Sequence, residues 1–163
     1  LEFRRVLFRS TTVGSGGSSS ITFSSIPQTY TDLKILISAR TNRNATDDDL
    51  LIQVNGSSAS VYSNKRLYGN GSGTGSDGLS NTGVPYAGSA DGATATASTF
   101  GNCELYFPNY TSSNAKSMSA DGIAENNATA AFNVLSAWLW NPGTQAAITQ
   151  ISVSPYKIGR AHV

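Results

Sequence analysis

The chain has 163 residues, 39% of them hydrophobic and only 13% charged, a length that suits one domain with a proper core. Its net charge of +1 resides in the two ends: without Arg4, Arg5, Arg9, Lys157 and Arg160 the 11 basic residues fall to six, without Glu2 the 10 acidic ones fall to nine, and residues 11–156 carry −3. That balance excludes an electrostatic footprint for nucleic acid or an anionic membrane, and no apolar run is long enough to span a bilayer.

At the N-terminus, Arg5 to Ser10 back-translates as CGT GTG CTC TTC CGA TCT. The reverse complement, read from its third base, encodes Ile-Gly-Arg-Ala-His and the start of a Val codon, which is the order of Ile158 to Val163. Residues 1–10 and 158–163 therefore look like the two strands of one translated sequencing adapter, and Lys157 fits its leading bases. On this reading the native domain is residues 11–156, cut from a longer gene, with a final strand missing and residues 1–10 loosely attached. The only histidine, His162, lies in the adapter-like stretch. Its loss removes the commonest general base and metal ligand.

The remaining pattern is short apolar alternation bounded by Gly, Asn, Asp and Ser, which predicts strands throughout. Residues 19–24 form the first, with Ile21 and Phe23 on one face. Residues 32–40 are the clearest: Leu33, Ile35, Ile37 and Ala39 face one way, while Leu36 breaks the polar side and suggests a central strand. Residues 41–49 read as a polar loop and 50–55 as a strand with Leu50, Ile52 and Val54 inward. Residues 61–68 are a candidate partner. The Gly/Ser-rich stretch 69–91 reads as a flexible loop without a regular element. Order returns at 99–107, where Cys103, Leu105 and Phe107 alternate with Glu104 and Tyr106. Residues 116–124 follow, with Met118, Ala120 and Ile123 inward. Residues 131–140 are apolar on both faces, as a central buried strand would be. Residues 147–154 are the last strand. Eight or nine strands without helix predict an all-β, antiparallel, two-sheet sandwich of jelly-roll type, with an immunoglobulin-like sandwich as the nearest competitor.

Few residues carry chemistry, and each has a structural reading beside the functional one. Trp138 and Trp140 share a strand face. With Phe132 and Val134 in phase they read as core, and only exposed together would they make a platform for a sugar ring. Asp47, Asp48 and Asp49 could offer oxygen ligands to calcium, but adjacent side chains rarely converge on one ion, so a solvated acidic loop is favoured. Cys103 reads as a buried thiol, since nothing is at hand to activate it. The Gly69, Gly71, Gly73, Gly75 series lacks the lysine and following helix of a phosphate loop. Glu104, Asp121 and Glu125 could pair for glycoside hydrolysis, though nothing in the sequence brings two together. Sequons at Asn44, Asn55, Asn70, Asn109 and Asn127 follow from composition. No cofactor is expected, and no enzymatic activity.

Two stretches carry a family likeness. One is Ile21-Thr22-Phe23-Ser24-Ser25-Ile26-Pro27-Gln28-Thr29-Tyr30-Thr31-Asp32-Leu33 with its following strand. The other is Leu105-Tyr106-Phe107-Pro108-Asn109-Tyr110, then Lys116-Ser117-Met118 and Glu125-Asn126-Asn127-Ala128-Thr129, with Arg66-Leu67-Tyr68-Gly69 between. Together they resemble structural proteins of tailed bacteriophages known from environmental viral sequence. The resemblance implies a virion protein of a tail fibre, baseplate or capsid decoration, made in the host cytoplasm. It also implies other virion subunits as partners, a homotrimer among the arrangements, and a cell-surface glycan met through the loops. A carbohydrate-binding module of cellular origin is the alternative. Exposed aromatic residues would favour that module, and a large apolar or edge-strand surface would favour the virion subunit.

Overall fold

The structure is a computed structural model that describes residues 8–127, 131–156 and 161–162. The chain is all-β, with no helix among the described residues. The strands are β1 (Ile21–Phe23), β2 (Leu33–Thr41), β3 (Asp47–Val54), β4 (Tyr62–Gly69), β5 (Thr74–Thr82), β6 (Tyr86–Asp91), β7 (Gly101–Phe107), β8 (Lys116–Ala124), β9 (Phe132–Trp140), β10 (Ile151–Pro155) and the two-residue β11 (Ala161–His162). Hydrogen bonding links them in one mixed, open sheet of order β1-β10-β3-β6-β2-β7-β8-β9-β4-β5, with β11 on β2.

The only parallel contact among the described strands is a single pair, Arg40 with Asp91, where β2 meets β6. At that weak joint the sheet folds back, and β6 lies across β7, β8 and β9 without pairing to them. One core results, filled from both halves by Leu50, Ile52 and Val54, by Leu105 and Phe107, and by Met118, Trp138, Trp140 and Ile151. Strict alternation makes this work: β8 and β9 bury every second side chain, and the intervening ones face solvent. Tyr62 pins the halves together, since its hydroxyl accepts the Val54 amide at 2.9 Å from within the core.

The stretch 69–91, expected as a loop, instead carries β5 and β6. β5 is an edge strand held by its pairing with β4, and most of its side chains are exposed, so no apolar alternation marks it. β6 fails to announce itself for the opposite reason. Five of its six residues are buried, and they are Ala, Gly, Ser, Ala and Asp. Small residues are required there because the backbones nearly touch. A Cβ added to Gly122 would sit 3.1 Å from the Gly88 Cα, and one added to Gly101 would sit 2.8 Å from the Ala90 Cα. Stacked sheets ordinarily stand ~10 Å apart.

The terminal stretches fall partly outside the described residues. Phe8 is exposed, and the Arg9 guanidinium donates to the Ser24 carbonyl. Ala161 and His162 pair with Thr41 and Arg40. Leu7, the rest of residues 1–7 and residues 157–160 lie outside the described residues. Arg40 itself organises the loop after β6, donating to the carbonyls of Ala93, Ala95, Thr96 and Thr99.

Candidate functional site

The outer face of β2-β7-β8-β9-β4-β5 is where the chain departs from an ordinary solvated surface. Pairing registers align Leu36, Glu104, Asp121, Leu135, Leu67 and Ser76 in one row across six strands. A second row runs Lys34, Tyr106, Ser119, Ala137, Lys65 and Gly78. Leu36, Leu67 and Leu135 are 68%, 60% and 58% exposed. Ile123 and Leu139 add to the patch from neighbouring rows of β8 and β9. Two shallow grooves, of about 690 and 350 Å³, lie on this face and share Asp121 in their walls.

Three expectations change here. Leu36 does not mark a strand buried on both sides; it points outward. Residues 131–140 are not buried on both faces, because Leu135 and Leu139 emerge on the outer one. Ile123 faces out as well, since its parity along β8 is opposite to that of Met118 and Ala120. Solvent meets these side chains because no strand covers this side of the sheet among the described residues.

The face also brings together two carboxylates that the sequence left apart. Glu104 and Asp121 are direct partners across β7 and β8. Lys34 engages Glu104 at 2.6 Å. Glu125 stands elsewhere, past the end of β8, where its carboxylate accepts the Asn127 amide.

A second cluster sits at the rim. Arg66 donates to both oxygens of Asp77, at 2.7 and 2.9 Å, and to Asp49 at 3.2 Å. Its guanidinium lies 4.5 Å from the centre of the Tyr86 ring and 5.7 Å from that of Tyr68. Tyr68 stacks on Phe132 at 5.6 Å, and Tyr86 meets Tyr156 edge-on at 5.5 Å. The result is a ladder of four rings and one cation flanked by two carboxylates, with Tyr156 and Asp77 open to solvent. Burial pushes the Asp49 carboxyl above its ordinary value despite the opposing pull of Arg66. The hydrogen bonds that Arg66 donates to Asp77 raise the guanidinium above its ordinary value.

The remaining sequence candidates resolve individually. Trp138 and Trp140 are each 3% exposed, so they pack in the core and offer no sugar platform. Asp47, Asp48 and Asp49 lie on β3, not in a loop. Alternation sends Asp48 to the face opposite Asp47 and Asp49, so the three cannot close on one ion. Among the described residues no group of three or more His, Cys, Asp or Glu side chains is placed to hold a metal. Arg43 stands 3.7 Å from the buried Asp48. The Cys103 thiol is buried beneath β6, and burial, reinforced by Asp121, pushes it up to about 12. Such a thiol is neither nucleophile nor metal ligand near neutral pH. Lys116 is buried too, with its ammonium donating to the carbonyls of Ser112, Asn114 and Ala146, and desolvation lowers its pKa.

The chain matches no protein-family model, no curated protein and no solved structure. Its outer face must therefore be interpreted from its own chemistry. The exposed leucines were visible in the sequence as apolar residues on the wrong parity of β2 and β9. A strand buried on both sides carries the same pattern.

Proposed function

We propose that the chain is a non-enzymatic structural subunit of a tailed-phage virion, in a tail or other surface appendage, and that it assembles through its outer sheet face. The row from Leu36 through Leu135 to Leu67 carries the reading. Leu135 and Leu67 are direct neighbours in it, and Leu36 stands beyond Glu104 and Asp121; exposed leucines on a regular strand face cost solubility in a free monomer and are useful where another surface covers them. The strand and turn signatures around Ile21–Leu33 and Leu105–Tyr110 support the virion class by resemblance. Low charge in residues 11–156, with abundant Ser, Thr and Asn, suits polar contacts to neighbouring subunits. For the finer fold we take a jelly-roll-type packing of β1-β10-β3-β6 against the other six strands. The test is mass spectrometry of density-purified virus particles from the community that carries this gene. Peptides of the chain should be enriched there over the cellular fraction, and enrichment in the cellular fraction alone overturns the reading.

The rim ladder favours a second reading, a carbohydrate-binding module. Tyr68, Tyr86, Tyr156 and Phe132 with Asp49 and Asp77 provide ring edges and hydroxyl acceptors of the kind that saccharides use. A glycan array separates the two. Binding that is lost in Tyr156→Ala favours the module, and a blank array favours the assembly role alone.

A further inference from the structure

The outer face carries charge in a pattern that selects its own partner. Lys65 on β4 and Asp121 on β8 are both exposed, and neither is in an ion pair among the described residues. They flank β9 diagonally: Lys65 lies opposite Ala137, and Asp121 lies opposite Leu135, two residues away. We propose that a second copy of this chain docks face to face on this surface about a two-fold axis passing over β9, between Leu135 and Ala137. The proposal rests on the reading of the outer face as an assembly surface and names its occupant.

The geometry follows from the register lattice, with strands ~4.8 Å apart and same-face residues ~6.7 Å apart along each strand. An in-plane two-fold axis perpendicular to the Lys65–Asp121 diagonal sets Lys65 on the partner's Asp121, and by symmetry the reverse. The same operation brings Lys65 beside the partner's Glu104, so one cation meets the carboxylate pair. It places Leu67 on the partner's Leu135 and Leu139 on the partner's Tyr106. Once the charges are matched, the apolar residues beside the axis still meet apolar residues, while Leu36 and Ile123 fall toward the partner's β5 edge. Six strands of seven to nine residues present a footprint of roughly 700 Å², close to the ~800 Å² per partner of a standard stable interface. Lys34 already engages Glu104, so the incoming lysine supplies the counter-charge that Asp121 lacks among the described residues of its own chain.

Sedimentation velocity on the full 163-residue chain, with circular dichroism as the check on folding, tests the arrangement. The unaltered chain should self-associate to a dimer with rising concentration. Lys65→Glu sets two acids against each other twice, and Asp121→Lys sets two lysines against each other twice. Each variant alone should weaken the dimer by at least roughly 100-fold. Mixed in equal amounts, the two variants should dimerise again, because both bridges are then of opposite charge. Three outcomes overturn the proposal: a monomer at all concentrations, a trimer, or folded variants that fail to rescue each other. A monomer that is nonetheless enriched in virus particles refutes self-docking and leaves the virion reading standing, with another subunit as occupant. Self-association of a chain enriched only in cells does the converse.

Discussion

Replacing Gly88 by alanine tests the close stacking of β6 on β7 and β8. The added methyl would lie 2.7 Å from the Cys103 Cβ and 3.1 Å from its sulfur, with the Gly122 Cα at 3.7 Å. Ordinary contact would need β6 to rise by nearly 1 Å, yet the strand is tied to β3 and covered on both faces. Overpacking of this kind costs about 1–3 kcal/mol. The backbone at Gly88 is not in the positive-φ region, so alanine also restricts the unfolded chain, a gain of about 0.4–1 kcal/mol. The net expectation is a loss near 1.5 kcal/mol. In urea, with m of about 2 kcal/mol/M, the midpoint should fall by roughly 0.7 M at unchanged slope. Cys103→Gly removes the opposing atoms, so in the Gly88→Ala background its own cost should shrink by about 1 kcal/mol. Gly73→Ala is the control, because nothing lies within 4 Å of an added Cβ there, and it should be neutral or slightly stabilising. Unaltered stability of Gly88→Ala, or strict additivity of the double variant, would refute the stacking argument.

Three further outcomes follow from the core and the rim. Trp138→Ala should cost about 3–5 kcal/mol in denaturant titrations, but Trp138→Phe much less, because the buried indole N–H has no partner among the described residues and its removal relieves a penalty. Cys103, with its pKa pushed up to about 12, should react with a thiol reagent at pH 8 about 1000-fold more slowly in the folded chain than in urea, and fast native labelling would contradict its burial. Asp49 should titrate by carboxyl NMR above 3.8. Because its proton is then held longer in the folded state than in the unfolded one, the unaltered chain should lose stability relative to Asp49→Asn as pH rises from 3.8 through the folded midpoint.

The long alternating strands were legible because parity alone sets which side chains meet. Cys103, Leu105 and Phe107 on β7, and Trp138 and Trp140 on β9, point inward as their spacing demands. β6 was illegible because close backbone approach selects Ala, Gly and Ser, the composition that also marks loops. Asp47 to Asp49 read as a loop because three carboxylates in a row suggest solvent. The pairing of β3 with β6 holds their backbone extended, and Arg43 stands near the buried Asp48. The outer face needed the structure for another reason. Leucine on both parities of a strand says that both sides want cover, and sequence alone cannot distinguish cover by the same chain from cover by another. Likewise the Glu104–Asp121 pair and the Arg66 contacts with Asp77 and Asp49 depend on the exact register and packing of the strands, which no local pattern encodes.

The outer face as a docking surface is most directly tested by amide NMR of the full chain in a dilution series up to about 1 mM, where even weak association registers. The account predicts concentration-dependent shifts or broadening confined to β8, β9 and β4, centred on Leu135 and Ala137, with β1 and β10 unchanged. Spectra that stay superimposable across the series, or shifts centred on β1 and β10 instead, would contradict it.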